Sequence, residues 1–536
     1  MWTNTCGTSG RVLQVSITFT AVMGFALFGY NQGMMSGLIA GDEFTKTFGA
    51  LAMPEDATKS EDRHINVIRG AVTACYEIGC FFGALFSMFY GERLGRTRVI
   101  FAGAVILVIG AVISAASIGP AWGLGQFVIG RVISGIGNGM NTATIPVWQS
   151  ECSSAHNRGF LVCFEGAVIA VGTFVAYWVV FGLSYVPQTV QWRFPVALQV
   201  FFALIVAVGA ILLPDSPRWF VMRGHDKEAC EILAKLKNTT PDSDVVLTDF
   251  NFLKADVESS KASEADWKTI FRTGKTQELP RLLIGCSGQF FQQFTGCNAA
   301  IYYSTLLFEQ NLGLDHRLSL TMGGVFATVY AIATIPSFFM IERVGRRKLY
   351  LIGFLGQGLS FVITFACLIK PTEENSKGAI VGIFLFITFF AFTLLPLPWI
   401  YPPEINPART RTAGAAASTC TNWICNFAVV MFTPIFASES GWGVYLFFAI
   451  FNLIGVPFGW FFYVETAGRE LEEIDIIYAR AHVEGKWPYV VANEMPKLTF
   501  EQITQQSREL GLTDGDYSEP EKTELGFSSE HSQEVR

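Results

Sequence analysis

Gln292, Gln293 and Asn298 fall within seven residues of one otherwise apolar stretch, and Tyr302 and Tyr303 follow closely. On a helix, Gln292 and Asn298 are six apart and Gln293 and Asn298 five apart, which sets the amides on neighbouring parts of one flank. Amides and phenols offer hydrogen-bond donors and acceptors without charge. That chemistry holds a neutral polyhydroxy ligand and breaks no bonds. The plainer reading is that the amides join helices to one another. Bond-breaking chemistry has little to stand on elsewhere: there are 6 His, no HExxH run, no CxxC pair and no nucleophile–base constellation. Of the 11 Cys, Cys75, Cys80, Cys163, Cys286, Cys297, Cys367, Cys420 and Cys425 lie in apolar stretches, where a thiol acts as a small hydrophobe. No enzyme, metal site or cofactor is expected.

Charge inside apolar runs is the second signal. Glu77, Arg131 and Glu165 all lie in such runs. A carboxylate there without a partner is costly, so Glu165 is either protonated, paired with Arg131, or turned to a water-filled cavity. Nothing in the sequence names a partner for Glu77. A third set of charges repeats. Glu92-Arg93-Leu94-Gly95-Arg96 returns as Glu342-Arg343-Val344-Gly345-Arg346. Glu151, seven residues before Arg158, returns as Glu404, seven before Arg411, and Asp215-Ser216 returns as Glu465-Thr466; the shifts are 250, 253 and 250 positions. Read plainly, the arginines are orientation signals. Read functionally, Glu151 and Glu404 pair with Arg96, Arg346 or Arg347 across helix ends and latch one side of the molecule. Partly solvated ion pairs can break and re-form at little net cost.

Composition says what must position these groups. The chain has 536 residues, 51% hydrophobic and only 15% charged, with a mean hydropathy of +0.38. Soluble domains carry about a quarter charged residues, so the lipid bilayer is the solvent here. The net charge of −7 argues against nucleic acid as a partner. Apolar runs long enough to span lie near 13–35, 67–90, 98–118, 122–147, 160–183, 194–213, 280–308, 319–341, 349–369, 378–400, 412–436 and 442–463. That predicts an all-α membrane protein with twelve transmembrane helices. Arg93, Arg96 and Arg98, their counterparts Arg343, Arg346, Arg347 and Lys348, and Arg409 with Arg411 all fall in loops of one side, which makes both termini cytoplasmic. The expected division is 1–12 as N-terminus, 13–213 as one six-helix half, and 214–278 as a cytoplasmic linker with helical pattern at Lys227–Leu236. A second six-helix half covers 279–464, and 465–536 is a tail with an amphipathic helix at Leu471–Ala481 and a disordered end. The sequon at Asn238 lies in the linker and is expected unmodified. Two halves in parallel repetition place a substrate site between them at the midplane and supply alternating access by rocking.

Several motifs carry a family likeness. Gly-Arg-Thr-Arg at 95–98, Gly-Arg-Arg-Lys at 345–348, Pro214-Asp215-Ser216-Pro217-Arg218-Trp219, Gln292 to Asn298 and Glu465-Thr466-Ala467-Gly468-Arg469 resemble the sugar porter family of the major facilitator superfamily, from roughly Val12 to Asn493. Within that family the likeness is to the fungal glycerol/proton symporter, through Thr144–Glu151, Gln292–Ser304, Ile387–Phe390, Trp399–Ile405 and Ser418–Phe436. The resemblance implies the major facilitator fold and a secondary transporter for glycerol or a related small polyol or sugar, with or without proton symport. It also implies a monomer in the plasma membrane. It assigns substrate contacts to Gln292, Gln293, Asn298, Trp399, Asn422 and Trp423, and a gate to Tyr302 and Tyr303. Two departures qualify it. Hexose porters place Gln where this chain has Gly166. Proton-coupled relatives place Asp opposite the span-four Arg where this chain has Asn31 opposite Arg131, and Asn carries no proton. Coupling then falls to another acid, Glu165 being the first candidate, or is absent. An uncoupled hexose or pentose facilitator and a transporter-like nutrient sensor remain the alternatives.

Overall fold

A computed structural model describes residues 8–52, 58–118, 122–153, 158–262, 274–310, 312–370, 372–407 and 410–512. The expected disorder at the end of the tail concerns residues 513–536, which lie outside the described residues. The first half consists of α1 (Gly10–Ala40), α2 (Lys59–Leu94), α3 (Arg96–Ala115), α4 (Gly123–Glu151), α5 (Arg158–Leu183) and α6 (Val190–Leu212). In the second half three segments are broken: α7a and α7b (Glu278–Phe294, Cys297–Gln310), α8a and α8b (His316–Ala333, Ser337–Val344), and α10a and α10b (Glu373–Phe392, Leu397–Ile405). The others are α9 (Arg346–Leu368), α11 (Arg411–Glu439) and α12 (Gly443–Phe462). Among the described residues nine helices are long and apolar enough to cross a bilayer, or ten if the pair α8a–α8b, bent by 45°, is one span. The segments beyond those ten are α4, rich in Gly and Asn, and α7, divided at Gly296 and loaded with amides. Both bury their polar faces among other helices, where lipid does not demand an apolar surface.

Lipid offers no hydrophobic drive between helices, so close backbone approach must hold them together. A Cβ on Gly29 of α1 would lie 1.9 Å from the Ile169 carbonyl oxygen of α5, and one on Gly83 of α2 would lie 2.1 Å from that of Ile136 in α4. Large apolar side chains such as Phe82, Phe201, Leu204, Ile332 and Phe339 point outward, more than half exposed, as a lipid-facing surface requires.

The linker helix Asp226–Lys237 ends on Asn238, whose Oδ1 accepts from Ser9 Oγ at 2.8 Å beside the start of α1. The tail helix Leu471–Glu484 buries Ile474, Ile477 and Tyr478, and its Asp475 pairs with Arg281 of α7a at 2.6 Å. Chain start, linker and tail therefore share one side, called here the linker face; the opposite side is the far face.

The repeat is visible at the linker face. Gly95 and Gly345 have φ of +97° and +94°, a region that favours glycine. Each opens a helix whose first N–H groups meet a carboxylate. Asp215 Oδ1 accepts from Arg96 N at 3.0 Å, and Glu465 Oε1 from Arg346 N at 2.7 Å. These acids cap the positive ends of α3 and α9. Burial pushes the Asp215 carboxyl up, against the pull of the Ser216 and Arg96 N–H groups.

Candidate functional site

The break in α7 builds the site. Gly296, at φ +93°, follows the end of α7a, and a Cβ there would strike the Phe448 ring at 2.7 Å. The amides gather around this break, with almost nothing exposed: Gln292 3%, Gln293 2%, Asn298 4% and Asn422 2%. Asn298 Nδ2 donates to Gln293 Oε1 at 2.7 Å and to Asn426 Oδ1 of α11 at 2.8 Å, and Asn298 Oδ1 accepts from Gln32 of α1 at 3.2 Å. Asn422 Nδ2 donates to Gln289 Oε1 at 2.6 Å and to Gln292 Oε1 at 3.1 Å, while Gln292 Nε2 donates to the Leu394 carbonyl at 2.8 Å, where α10 breaks. Gln293 Nε2 has no hydrogen-bond partner among the described residues. Trp423 is fully buried, edge-on to Phe28 of α1 with ring centroids 5.4 Å apart, and its Nε1 lacks a partner. Trp399 is half-buried on α10b. The cluster therefore joins α7, α10 and α11 of the second half to α1 of the first, and it contains no charge.

Gln32, Gln289 and Asn426 are members that the sequence reading passed over. Gln289 stands one turn before Gln292 and Asn426 one turn after Asn422, so helical spacing was the signal available for two of them. Gly166 faces Leu395, with 3.5 Å between that side chain and a Cβ built on the glycine.

Beyond the break, α7b reaches into the first half. Tyr302 Oη donates to Glu77 Oε1 of α2 at 2.5 Å, and Tyr303 Oη to the Val430 carbonyl of α11 at 2.9 Å. Ser36 of α1 bonds Thr305 at 3.2 Å, and Tyr177 of α5 lies 2.6 Å from Ser304 Oγ. The bonds of Tyr302, Thr305 and Ser304 close the halves together toward the far face, while Tyr303 ties α7b to α11 within the second half.

Of the three alternatives for Glu165, the structure removes pairing with Arg131. Glu165 has no hydrogen-bond or ion-pair partner among the described residues, so it is not paired with Arg131. The guanidinium of Arg131 instead lies 4.4 Å over the Tyr76 ring and donates from Nη1 to Asn31 Oδ1 at 3.4 Å; its Nε and Nη2 have no partner. The carboxylate that acts on it is Glu77.

At the linker face Arg96 grips Glu151 through two bonds of 3.1 Å, joining α3 to α4. Arg346 grips Glu404 at 3.2 and 2.9 Å, joining α9 to α10b, and holds Glu342 as well at 2.9 and 2.8 Å. Both pairs close within a half, and both are intact while the far face is closed. Arg347 turns aside, donating to the Trp460 carbonyl at 2.6 Å and to Glu465 through its backbone. The Arg158 side chain and Arg409 lie outside the described residues; Arg411 opens α11.

Against known proteins, the family model described as Sugar (and other) transporter matches residues 17–478. The Aspergillus fumigatus "Major facilitator superfamily transporter mfsA" is 74% identical over 535 residues, covering 100% of this chain and 99% of that protein. The Saccharomyces cerevisiae "Sugar transporter STL1" is 53% identical over 520 residues, covering 97% and 90%. The fold is similar to that of XylE from Escherichia coli, described as a proton:xylose symporter, with a TM-score of 0.73 at 23% identity, covering 88% of this chain and 100% of that one.

Proposed function

The chain belongs to the sugar transporter family of the major facilitator superfamily, and from that premise we propose that this multi-pass membrane transporter carries a small neutral polyol, glycerol foremost, between its two halves. The observation that supports this is the uncharged amide cluster at the junction of the halves, with Gln293 Nε2 and Trp423 Nε1 still free to donate. A polyol hydroxyl both donates and accepts, so it can replace one amide–amide bond with two of its own without leaving a buried group unpaired. Gln292, Gln293, Asn298, Asn422 and Trp423 take those contacts, and Trp399 forms the aromatic wall toward the linker face. Gly166 contributes no amide, which favours a ligand smaller than a hexose.

Alternating access then runs as follows. Tyr302, Tyr303 and α7b close the far face. The Arg96–Glu151 and Arg346–Glu404 pairs hold the linker-face corner of each half as a unit while the halves rock, with Arg347 and Arg411 on the same side. The linker face is cytoplasmic by its arginine content, and the membrane is the plasma membrane. The test is uptake of glycerol, xylose and glucose by the full chain in cells lacking their own carriers, with and without a protonophore. Glycerol should be taken up in preference to the sugars; uptake of hexose alone would replace this reading. A second reading, an uncoupled hexose or pentose facilitator, draws on Asn31 standing where a proton-carrying acid would face Arg131.

A further inference from the structure

Glu77 is a carboxylate with no exposed surface in the middle of a membrane helix, and nothing in the transport reading uses it. Its Oε1 accepts the Tyr302 hydroxyl across the junction of the halves, while its Oε2 has no partner. The titratable and charged groups around it are Cys75, Tyr76 and Cys80 on its own helix, Arg131 from α4, and Tyr302 and Tyr303 from α7b. The Asn426 amide of α11 is near enough to act on the carboxyl, although Asn426 Nδ2 and Glu77 Oε2 do not meet the geometry of a hydrogen bond. Asn426 Oδ1 in turn accepts from Asn298, the amide bonded to Gln293. One carboxyl thus bonds the far gate through Tyr302 and lies near the Arg131 guanidinium and the Asn426 edge of the amide cluster.

We propose that Glu77 is the proton carrier of this transporter, its proton load tied to the gate by Tyr302 and to the substrate site by Asn426. The proposal rests on the transport reading above. A buried carboxyl with one cation nearby has two tolerable states, ionised beside the cation or neutral without it. Arg131, with two unpartnered nitrogens, supplies the first state. With the far face open, a proton from that side binds Oε2 and Glu77 becomes a neutral acid; the charge-assisted bond that Tyr302 makes in the closed state is weakened. Closure brings back Tyr302, which together with Arg131, in the same half as Glu77, favours the carboxylate. The O–H bond breaks and the proton leaves to the linker face. One proton crosses per turn, and no other reactant is consumed. Glu165 lacks any link of this kind among the described residues.

The experiment uses the full chain in liposomes loaded with a pH-sensitive dye. Glycerol, xylose or glucose is added under an inward proton gradient, and labelled counterflow of the same compounds is measured in parallel. Wild type should acidify the lumen as substrate enters and should accumulate it. Glu77→Gln should lose both while measurable counterflow remains; Glu77→Asp should regain both. If Glu77→Gln does not fold, Tyr302→Phe serves. Removing a hydrogen bond to the charged form should move the pH midpoint of uptake upward by about one to two units. Proton movement that persists in Glu77→Gln, an unmoved midpoint in Tyr302→Phe, or wild-type counterflow with no proton movement overturns the assignment and leaves transport standing. Wild type that exchanges none of the three compounds overturns the transport reading itself.

Discussion

At the linker face the two halves are built alike, but at the midplane they differ in kind. Arg96 with Glu151 and Asp215 is mirrored by Arg346 with Glu404 and Glu465. Deeper in, the second half presents Gln289, Gln292, Gln293, Asn298, Asn422 and Asn426, all neutral, whereas the first half presents Glu77, Arg131 and Glu165. On the proposed reading, the repeated frame holds two tasks that would interfere if they shared a site. A charge beside a neutral polyol would hold water and compete for the amides, while a proton carrier needs a charge. With the carboxyl on α2 and the amides on α7 and α11 they stay apart, while Tyr302 of α7b bonds the carboxyl directly.

The comparison can be broken first at the corners. Arg96 has one bonded acid partner on its side chain and Arg346 has two. Glu151→Ala leaves Arg96 buried without its bidentate partner and should cost about 3–5 kcal/mol, seen as a lower melting temperature and weaker expression. The next effect belongs to the amides. Gln293→Ala removes a free donor and the acceptor of Asn298, and should weaken substrate binding by about 1–3 kcal/mol with the melting temperature little changed; normal uptake kinetics would remove α7 from the site. Glu404→Gln should be milder than its counterpart, about 1 kcal/mol, because Glu342 stays on Arg346. It should raise cysteine accessibility from the linker face if the corner governs rocking, and change only expression if the acid is structural. The smallest change is Asn31→Asp. An acid 3.4 Å from Arg131 would compete with Glu77 for that cation, so the pH profile of uptake should shift while the maximal rate holds. An identical profile would mean that Arg131 is not shared.

Much of the frame was legible. The twelve apolar runs coincide with the twelve segments of α1 to α12, because length and hydropathy are one-dimensional properties. The breaks were less so: 280–308, 319–341 and 378–400 each read as one run, and each is divided in the structure, at Gly296, at Thr334–Pro336 and at Thr393–Pro396. An apolar run conceals a break wherever neighbouring helices satisfy the freed backbone groups. Of the residues expected to contact substrate, Gln292, Gln293, Asn298 and Asn422 stand in the bonded cluster, and helical spacing pointed to Gln289 and Asn426 as well. Gln32 gave no such signal, since its partner lies 266 positions away.

The sequence by itself determined the solvent, the span count, the duplication and the chemical type of the site, since composition, period and repeated motifs are properties of the string. Which acid meets which base was decided by the tertiary structure alone. Tyr302 and Glu77 are 225 residues apart in opposite halves, and no spacing rule links them. Pairing with Arg131 was one of three alternatives open for Glu165, and α5 carries that acid away from Arg131. Close approach at Gly29, Gly83 and their like sets how each helix is rotated, and that rotation, not the order of residues, set Glu77 against Tyr302.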